Sequence, residues 1–162
     1  MSERRVIIIG GGIGGLALGL TLHQIGVRCS VYESVSNLKP LGVGINLQPN
    51  AVRELYELGI GPETLDTVGL PVKEWALVGM QGQDIYSEPR GRFAGYNWPQ
   101  YAVHRGEFHM ALYHRFLEVV GADAFHSGHR AKSYRIEEDG RASVTFETAT
   151  GPVIETADLV IA

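Results

Sequence analysis

The sequence predicts an α/β fold built on a parallel sheet that opens with a βαβ unit. Three observations carry this reading. Val6-Ile7-Ile8-Ile9 is an unbroken β-branched run, the composition of a strand buried on both faces. A glycine cluster, "GGGIGG" at residues 10–15, then opens a mostly apolar segment from Ile13 to Ile25 that reads as a helix ended by Gly26. Val27 to Glu33 alternates like a second strand and closes a unit of about thirty residues, joined by a right-handed crossover.

The elements that follow are read in order. "NLKPLGVGINLQPNAVRELYELGI" starts as a glycine-rich loop or short strand through Leu47. Pro49 sits at a first-turn position, and Ala51–Leu58 forms a helix stopped by Gly59. Val72–Met80 and Asp84–Ser87 read as strands of an antiparallel excursion turning at Gln81-Gly82, and "GRFAGYNWPQ" as loop. Tyr101–His104 is a short strand. Gly106–Val119 is an amphipathic helix with Phe108, Leu112, Phe116 and Val119 on one face. "KSYRIEEDGRASVTFET" is a hairpin around Asp139-Gly140. The final stretch turns at Gly151 and ends on the buried-strand run Leu159-Val160-Ile161. A terminus in mid-core is unusual, so the 162 residues are expected to be the truncated N-terminal part of a longer polypeptide.

Bulk composition excludes several classes. A net charge of −4 offers no footprint for nucleic acid or an anionic membrane. No stretch approaches the length of a membrane span, and the apolar run after Arg4 and Arg5 breaks into glycines too early for a signal peptide. Cys29 is the single cysteine, which fits a reducing, cytoplasmic compartment. It sits in an apolar strand pattern and reads as a small buried hydrophobe.

Gly10, Gly12 and Gly15 match G-x-G-x-x-G, and Gly19 follows one helical turn later. With 21 glycines in the chain the motif alone is weak; its context, a buried strand before and a helix after, makes it specific. Gly10 permits the tight turn, Gly12 lets a pyrophosphate approach the backbone, and Gly15 with Gly19 allows close packing of helix and sheet. Free N–H groups and the positive end of the helix dipole bind the anion. Glu33, at the end of the second strand, is placed to accept hydrogen bonds from ribose hydroxyls. The reading is a Rossmann-like dinucleotide-binding domain. NAD proteins continue with further βαβ units, whereas this chain enters a glycine-rich loop, a helix and an antiparallel excursion, an order that favours FAD.

Three blocks, "VIIIGGGIGGLALGLTLHQIGVRCSVYE", "GVGINLQPNAVRELYELGI" and "YAVHRGEFHMAL", resemble the N-terminal part of the flavin-dependent aromatic hydroxylases. This is the family of p-hydroxybenzoate and salicylate hydroxylases and the phenazine-modifying monooxygenases. The resemblance implies that Gly10, Gly12, Ile13, Gly14, Gly15 and Glu33 hold the ADP half of FAD. It places Gly44 and Ile45 beside the isoalloxazine, Arg105 near the FAD phosphates and ribityl chain, and Ala131 at the adenine. Arg105 also reads independently, because a cation at a helix N-terminus is unfavoured without an anionic partner. The resemblance further implies one FAD-binding domain over 1–162, with about 70–100 beginning a substrate-side β excursion. The implied activity is NAD(P)H-dependent hydroxylation of an aromatic substrate by molecular oxygen through a flavin hydroperoxide. The family's later Asp-Gly and Gly-Asp motifs are not present, and no catalytic residue is identified.

Other candidates carry less. His104, His109 and His114 recur every five residues, which does not line one helical face, and His126 and His129 in an extended segment are expected on opposite faces. No metal site is expected. Trp75, Trp98, Tyr96 and Tyr101 read as core and loop packing. Two alternatives stay open: a non-catalytic dinucleotide-binding regulatory module, and a flavin oxidase sharing the same N-terminal half.

Overall fold

A computed structural model describes residues 4–162. The chain divides into two compact units, one formed by the residues up to Lys39 with Leu112–Ala162, the other by Pro40–Ala111. The chain begins as expected. β1 (Arg5–Ile9) and β2 (Arg28–Tyr32) pair in parallel, Val6 opposite Cys29 and Ile9 opposite Tyr32. α1 (Ile13–Gln24) connects them. Cys29 is buried and burial pushes its thiol pKa up, in keeping with a packed hydrophobe.

The second unit carries the antiparallel excursion. It runs through β3 (Gly44–Leu47), α2 (Pro49–Glu57), α3 (Pro62–Val68) and β4 (Gly69–Val72). It continues with β5 (Glu74–Val78), β6 (Asp84–Pro89) and β7 (Gln100–His104). β7 lies between β3 and β4 and is antiparallel to both, while β5 and β6 form a hairpin of their own. The strand expected over Val72–Met80 is therefore two strands in two sheets. Val72 ends β4 opposite Gln100, Glu74 begins β5 opposite Pro89, and the carbonyl of the intervening Lys73 accepts the Arg90 N–H at 2.8 Å. α3 was not anticipated, because seven residues are too few to show a periodicity. Its local signals are Pro62 in the first turn and the buried Leu65. The segment read as loop after Arg90 contains a short 3₁₀ turn over Gly91–Ala94.

α4 (Arg105–Val119) buries Phe108, Leu112 and Phe116, as its spacing predicts. β8 (Phe125–His126), β9 (Arg130–Ile136), β10 (Ala142–Thr148), β11 (Gly151–Ala157) and β12 (Leu159–Ile161) complete the first unit. Its parallel sheet has the order β12-β1-β2-β8, beside an antiparallel sheet of order β11-β10-β9. The core between them is Ile7, Tyr32, Val144, Phe146 and Ala157, with Ile9, Ala131 and Val160 packed against it.

The expectation that His126 and His129 face opposite ways fails. β8 ends at His126, and a turn at Ser127 and Gly128 brings His129 back. The Tyr32 ring stacks on His126 at 4.4 Å and meets His129 edge-on at 5.5 Å. A two-residue strand followed by a turn does not hold the alternation that a longer strand imposes. Among the described residues no cluster suited to a metal ion occurs, and no helix is long and apolar enough to cross a membrane.

Candidate cofactor site

The chain leaves β1 through Gly10, whose φ of 107° lies in the region that favours glycine. Its N–H donates to Tyr32 O at 2.8 Å, tying the turn to the end of β2. Gly12 is the N-cap of α1 and no side chain caps the helix. The first-turn N–H groups have no intrahelical acceptors, so this end of α1 presents donors and a positive dipole.

The glycines divide by what surrounds them. A Cβ on Gly15 would stand 2.0 Å from the Gly10 carbonyl oxygen, and one on Gly19 would stand 2.5 Å from the Phe116 ring. Those two are bare because the fold packs against them. The missing Cβ of Gly19 thus faces α4, while its carbonyl oxygen accepts the Cys29 thiol of β2 at 3.6 Å. A Cβ on Gly12 or Gly14 would meet nothing within 4 Å, and neither residue has a positive φ. The protein's own packing gives no reason for glycine there. A ligand lying against the bare backbone does, and a pyrophosphate at a helix N-terminus has the chemistry to do so. The residues fit the dinucleotide that the motif implies.

Glu33 follows β2 directly and is half-buried. Its Oε2 accepts the Gly11 N–H at 2.7 Å. Its Oε1 accepts the Val35 N–H at 2.8 Å and the Ser34 hydroxyl at 3.0 Å. Burial alone would raise its pKa, but the bonds from Val35, Gly11 and Ser34 outweigh it and hold the carboxyl below its ordinary value. Gly11 is the residue the motif reading passed over. A Cβ there would lie 2.8 Å from the Phe125 ring and 3.1 Å from Glu33 Cβ, so its bareness lets the glycine turn dock on the acid. Beside this strand end a hollow of about 470 Å³ is lined by residues including Ser34, Ser36, His129, Arg130 and Thr148.

The remaining expected positions fall in two places. Ile13 is the first residue of α1 and half-buried. Ala131 lies in β9 opposite Phe146, against the core of the first unit. In the second unit, Gly44 and Ile45 open β3 opposite His104 and Val103. Arg105 begins α4; its N–H donates to Val43 O at 3.0 Å. A Cβ on Gly42 would lie 3.3 Å from the Arg105 side chain, so Gly44, Ile45 and Arg105 come together around one loop.

The family model that matches is the FAD binding domain, over residues 3–114. Phenazine 1,6-dicarboxylic acid hydroxylase PhzS of Lysobacter antibioticus is 41% identical over 140 residues, which are 86% of this chain and 34% of that protein. 3-Hydroxybenzoate 6-hydroxylase 1 of Aquipseudomonas alcaligenes is 41% identical over 114 residues, 68% of this chain and 28% of that protein. Among solved structures, HpxO of Klebsiella pneumoniae, complexed with FAD and uric acid, has a TM-score of 0.73 at 26% identity and covers 99% of this chain and 39% of its own. p-Nitrophenol 4-monooxygenase PnpA of Pseudomonas putida DLL-E4 shares the fold, with a TM-score of 0.84 at 18% identity over 96% of this chain and 39% of its own. The chain spans about a third of the length of these relatives. With its βαβ unit, its bare helix start and a matching model over most of its length, the chain belongs to the FAD-binding domain family.

Proposed function

We propose that this chain is the FAD-binding part of an NAD(P)H-dependent monooxygenase that hydroxylates an aromatic substrate. The observation that carries the reading is the open space at Gly12 and Gly14, glycines without a structural need at an uncapped helix start. Support comes from relatives whose names describe hydroxylation of phenazine 1,6-dicarboxylic acid and 3-hydroxybenzoate. In this proposal residues 1–162 are one FAD-binding domain, and about 70–100 begin a substrate-side excursion. The single buried cysteine fits a cytoplasmic location.

The residues then take distinct roles. The N–H groups around Gly12, Ile13, Gly14 and Gly15 bind the pyrophosphate, with Gly10 setting the turn. Glu33 orients the ribose through the acceptor capacity left on a carboxylate that Gly11, Val35 and Ser34 hold in place and ionised. The backbone of Ala131 faces the adenine. Gly44 and Ile45 lie beside the isoalloxazine, where a bare backbone admits a flat ring, and Arg105 balances phosphate charge. FAD, when bound, supplies the redox chemistry that activates molecular oxygen for transfer to an aromatic ring, with NADH or NADPH as electron source.

The test is purification of the protein with its natural continuation, followed by visible absorbance and NAD(P)H oxidation with and without aromatic acids or phenols. The reading expects a yellow protein whose NAD(P)H consumption rises when the right aromatic is added. A colourless protein, or oxidation indifferent to every aromatic tried, overturns it.

A further inference from the structure

Residues 125–129 strap together the two halves of the candidate cofactor site. The Phe125 ring fills the space beside Gly11. The carbonyl of His126 accepts the Glu33 N–H at 2.8 Å, and the His129 N–H donates to the Glu33 carbonyl at 2.8 Å. Between them Gly128, with a φ of 69°, turns the chain and donates to Val35 O at 3.2 Å. Tyr32, the residue before the acid, holds the glycine turn, because its carbonyl accepts the Gly10 N–H. Its ring is held by the strap in turn, stacked on His126 and edge-on to His129.

The strap has few backbone attachments. β8 pairs with β2 only through Val31–Phe125 and Tyr32–His126, so the ring stack adds to a short ladder. His129 Nδ1 donates to Ser127 O at 2.8 Å, which fixes that ring within the turn. His126 is half-buried. The groups that face it are His129, Tyr32 on β2, Arg5 on β1, Glu155 on β11 and Asp123 in the 3₁₀ turn Ala122–Ala124. Burial first, then His129 and Arg5, disfavour a charged ring against the pull of the two carboxylates, so its pKa lies below the ordinary 6.5. An imidazolium here regains hydration by leaving the stack. The ring and the carbonyl that holds Glu33 belong to one residue of a two-residue strand. That movement therefore loosens the acid as well.

We propose that residues 125–129 are a proton-sensitive strap: its neutral state holds the glycine turn and Glu33 in place for the ADP half of FAD, and protonation of His126 weakens that hold. The inference rests on the FAD reading above and adds a regulator to it. By reciprocity, FAD binding expels the proton.

The test is titration of the flavin-stripped protein, with its natural continuation, by FAD from about pH 8 down to about pH 5. That range stays above the one in which Glu33 titrates, and FAD carries no group that titrates within it. Flavin fluorescence gives the affinity, and near-ultraviolet circular dichroism reports whether each sample is folded. The wild type is expected to bind at least about threefold more weakly at the acid end. Calorimetry at about pH 6, in two buffers of different ionisation heat, is expected to show proton release on binding. His126→Phe keeps the stack and the backbone bonds, and is expected to show neither the acid loss nor the proton release. His126→Gln, neutral at every pH, is a second proton-free strap with the same expectation. Affinity that is independent of pH in the wild type, the same acid loss in both variants, or a loss that coincides with global unfolding overturns the strap alone. No FAD binding even at pH 8 overturns the cofactor reading and the strap with it.

Discussion

The Gly11 amide donates a 2.7 Å hydrogen bond to Oε2 of Glu33, joining the glycine turn after β1 to the acid after β2. The acid that the motif reserves for a ribose is thus also a structural acceptor, with the Val35 amide and Ser34 hydroxyl on its other oxygen. Glu33→Gln replaces one acceptor oxygen with a donor that faces an N–H. We expect a loss of about 1 kcal/mol of stability in the flavin-free protein, measured by urea unfolding. The pH dependence has a defined sign. Because the folded carboxyl titrates below its ordinary 4.5, its contribution is full above that pH and is lost as pH falls through the lower folded value. Glu33→Gln is expected to flatten this acid limb, and an unchanged limb would remove Glu33 from the network.

Gly14 and Gly15 are neighbours with opposite demands. A Cβ on Gly15 collides with the Gly10 carbonyl, while one on Gly14 enters open space. Gly15→Ala is expected to cost at least about 3 kcal/mol, because backbone must move to admit the methyl. Gly14→Ala lies in the first turn of α1 and is expected to leave flavin-free stability unchanged or raise it by up to about 1 kcal/mol. If the space is reserved for a cofactor, Gly14→Ala nevertheless lowers the flavin content of the purified protein. Melting temperature and flavin-to-protein ratio, read on the same samples, separate the two effects.

These pairs show what was legible in the sequence and what was not. The βαβ unit was readable because β-branched runs, the glycine turn and Glu33 each obey a local rule within about thirty residues. The β9–β10 hairpin was readable for the same reason, from Asp139-Gly140. The division of labour among the glycines was not. Gly19 is bare because of Phe116, far along the chain, and Gly11 because of Phe125 and Glu33. A motif records that a Cβ is unwelcome, not whether protein or ligand excludes it. The break between β4 and β5 at Lys73 and the convergence of His126 and His129 on Tyr32 were hidden likewise, since each is decided by strand partners distant in sequence.

Tyr32 is sandwiched between His126 and Phe146, both stacked at 4.4 Å. Burial lowers the pKa of His126, and neighbouring His129 lowers it further, against opposing pulls from Glu155 and Asp123. A histidine with a depressed folded pKa is stabilising in its neutral form, so stability is full above the ordinary 6.5 and declines as pH falls from there toward the folded value. The protein is expected to lose melting temperature over that window, and His126→Phe, which keeps the stack, to lose less. Parallel pH profiles for the two proteins would show that the stack carries no proton linkage.

Gly19 and Phe116 provide the last test, because their contact joins α1 to α4 through a single missing methyl. Gly19→Ala gains intrinsic helix propensity of about 1 kcal/mol, yet its Cβ would lie 2.5 Å from the edge of a fully buried ring. Overpacking of this kind costs about 1–3 kcal/mol, so the net expectation is a loss of up to about 2 kcal/mol. Phe116→Leu alone leaves a cavity and is destabilising too. Combined, the smaller side chain makes room for the new methyl, and the double variant is expected to be more stable than the sum of the two losses predicts by at least about 0.5 kcal/mol. Urea unfolding of all four proteins measures the coupling. Strict additivity would mean that α1 and α4 do not meet at this contact.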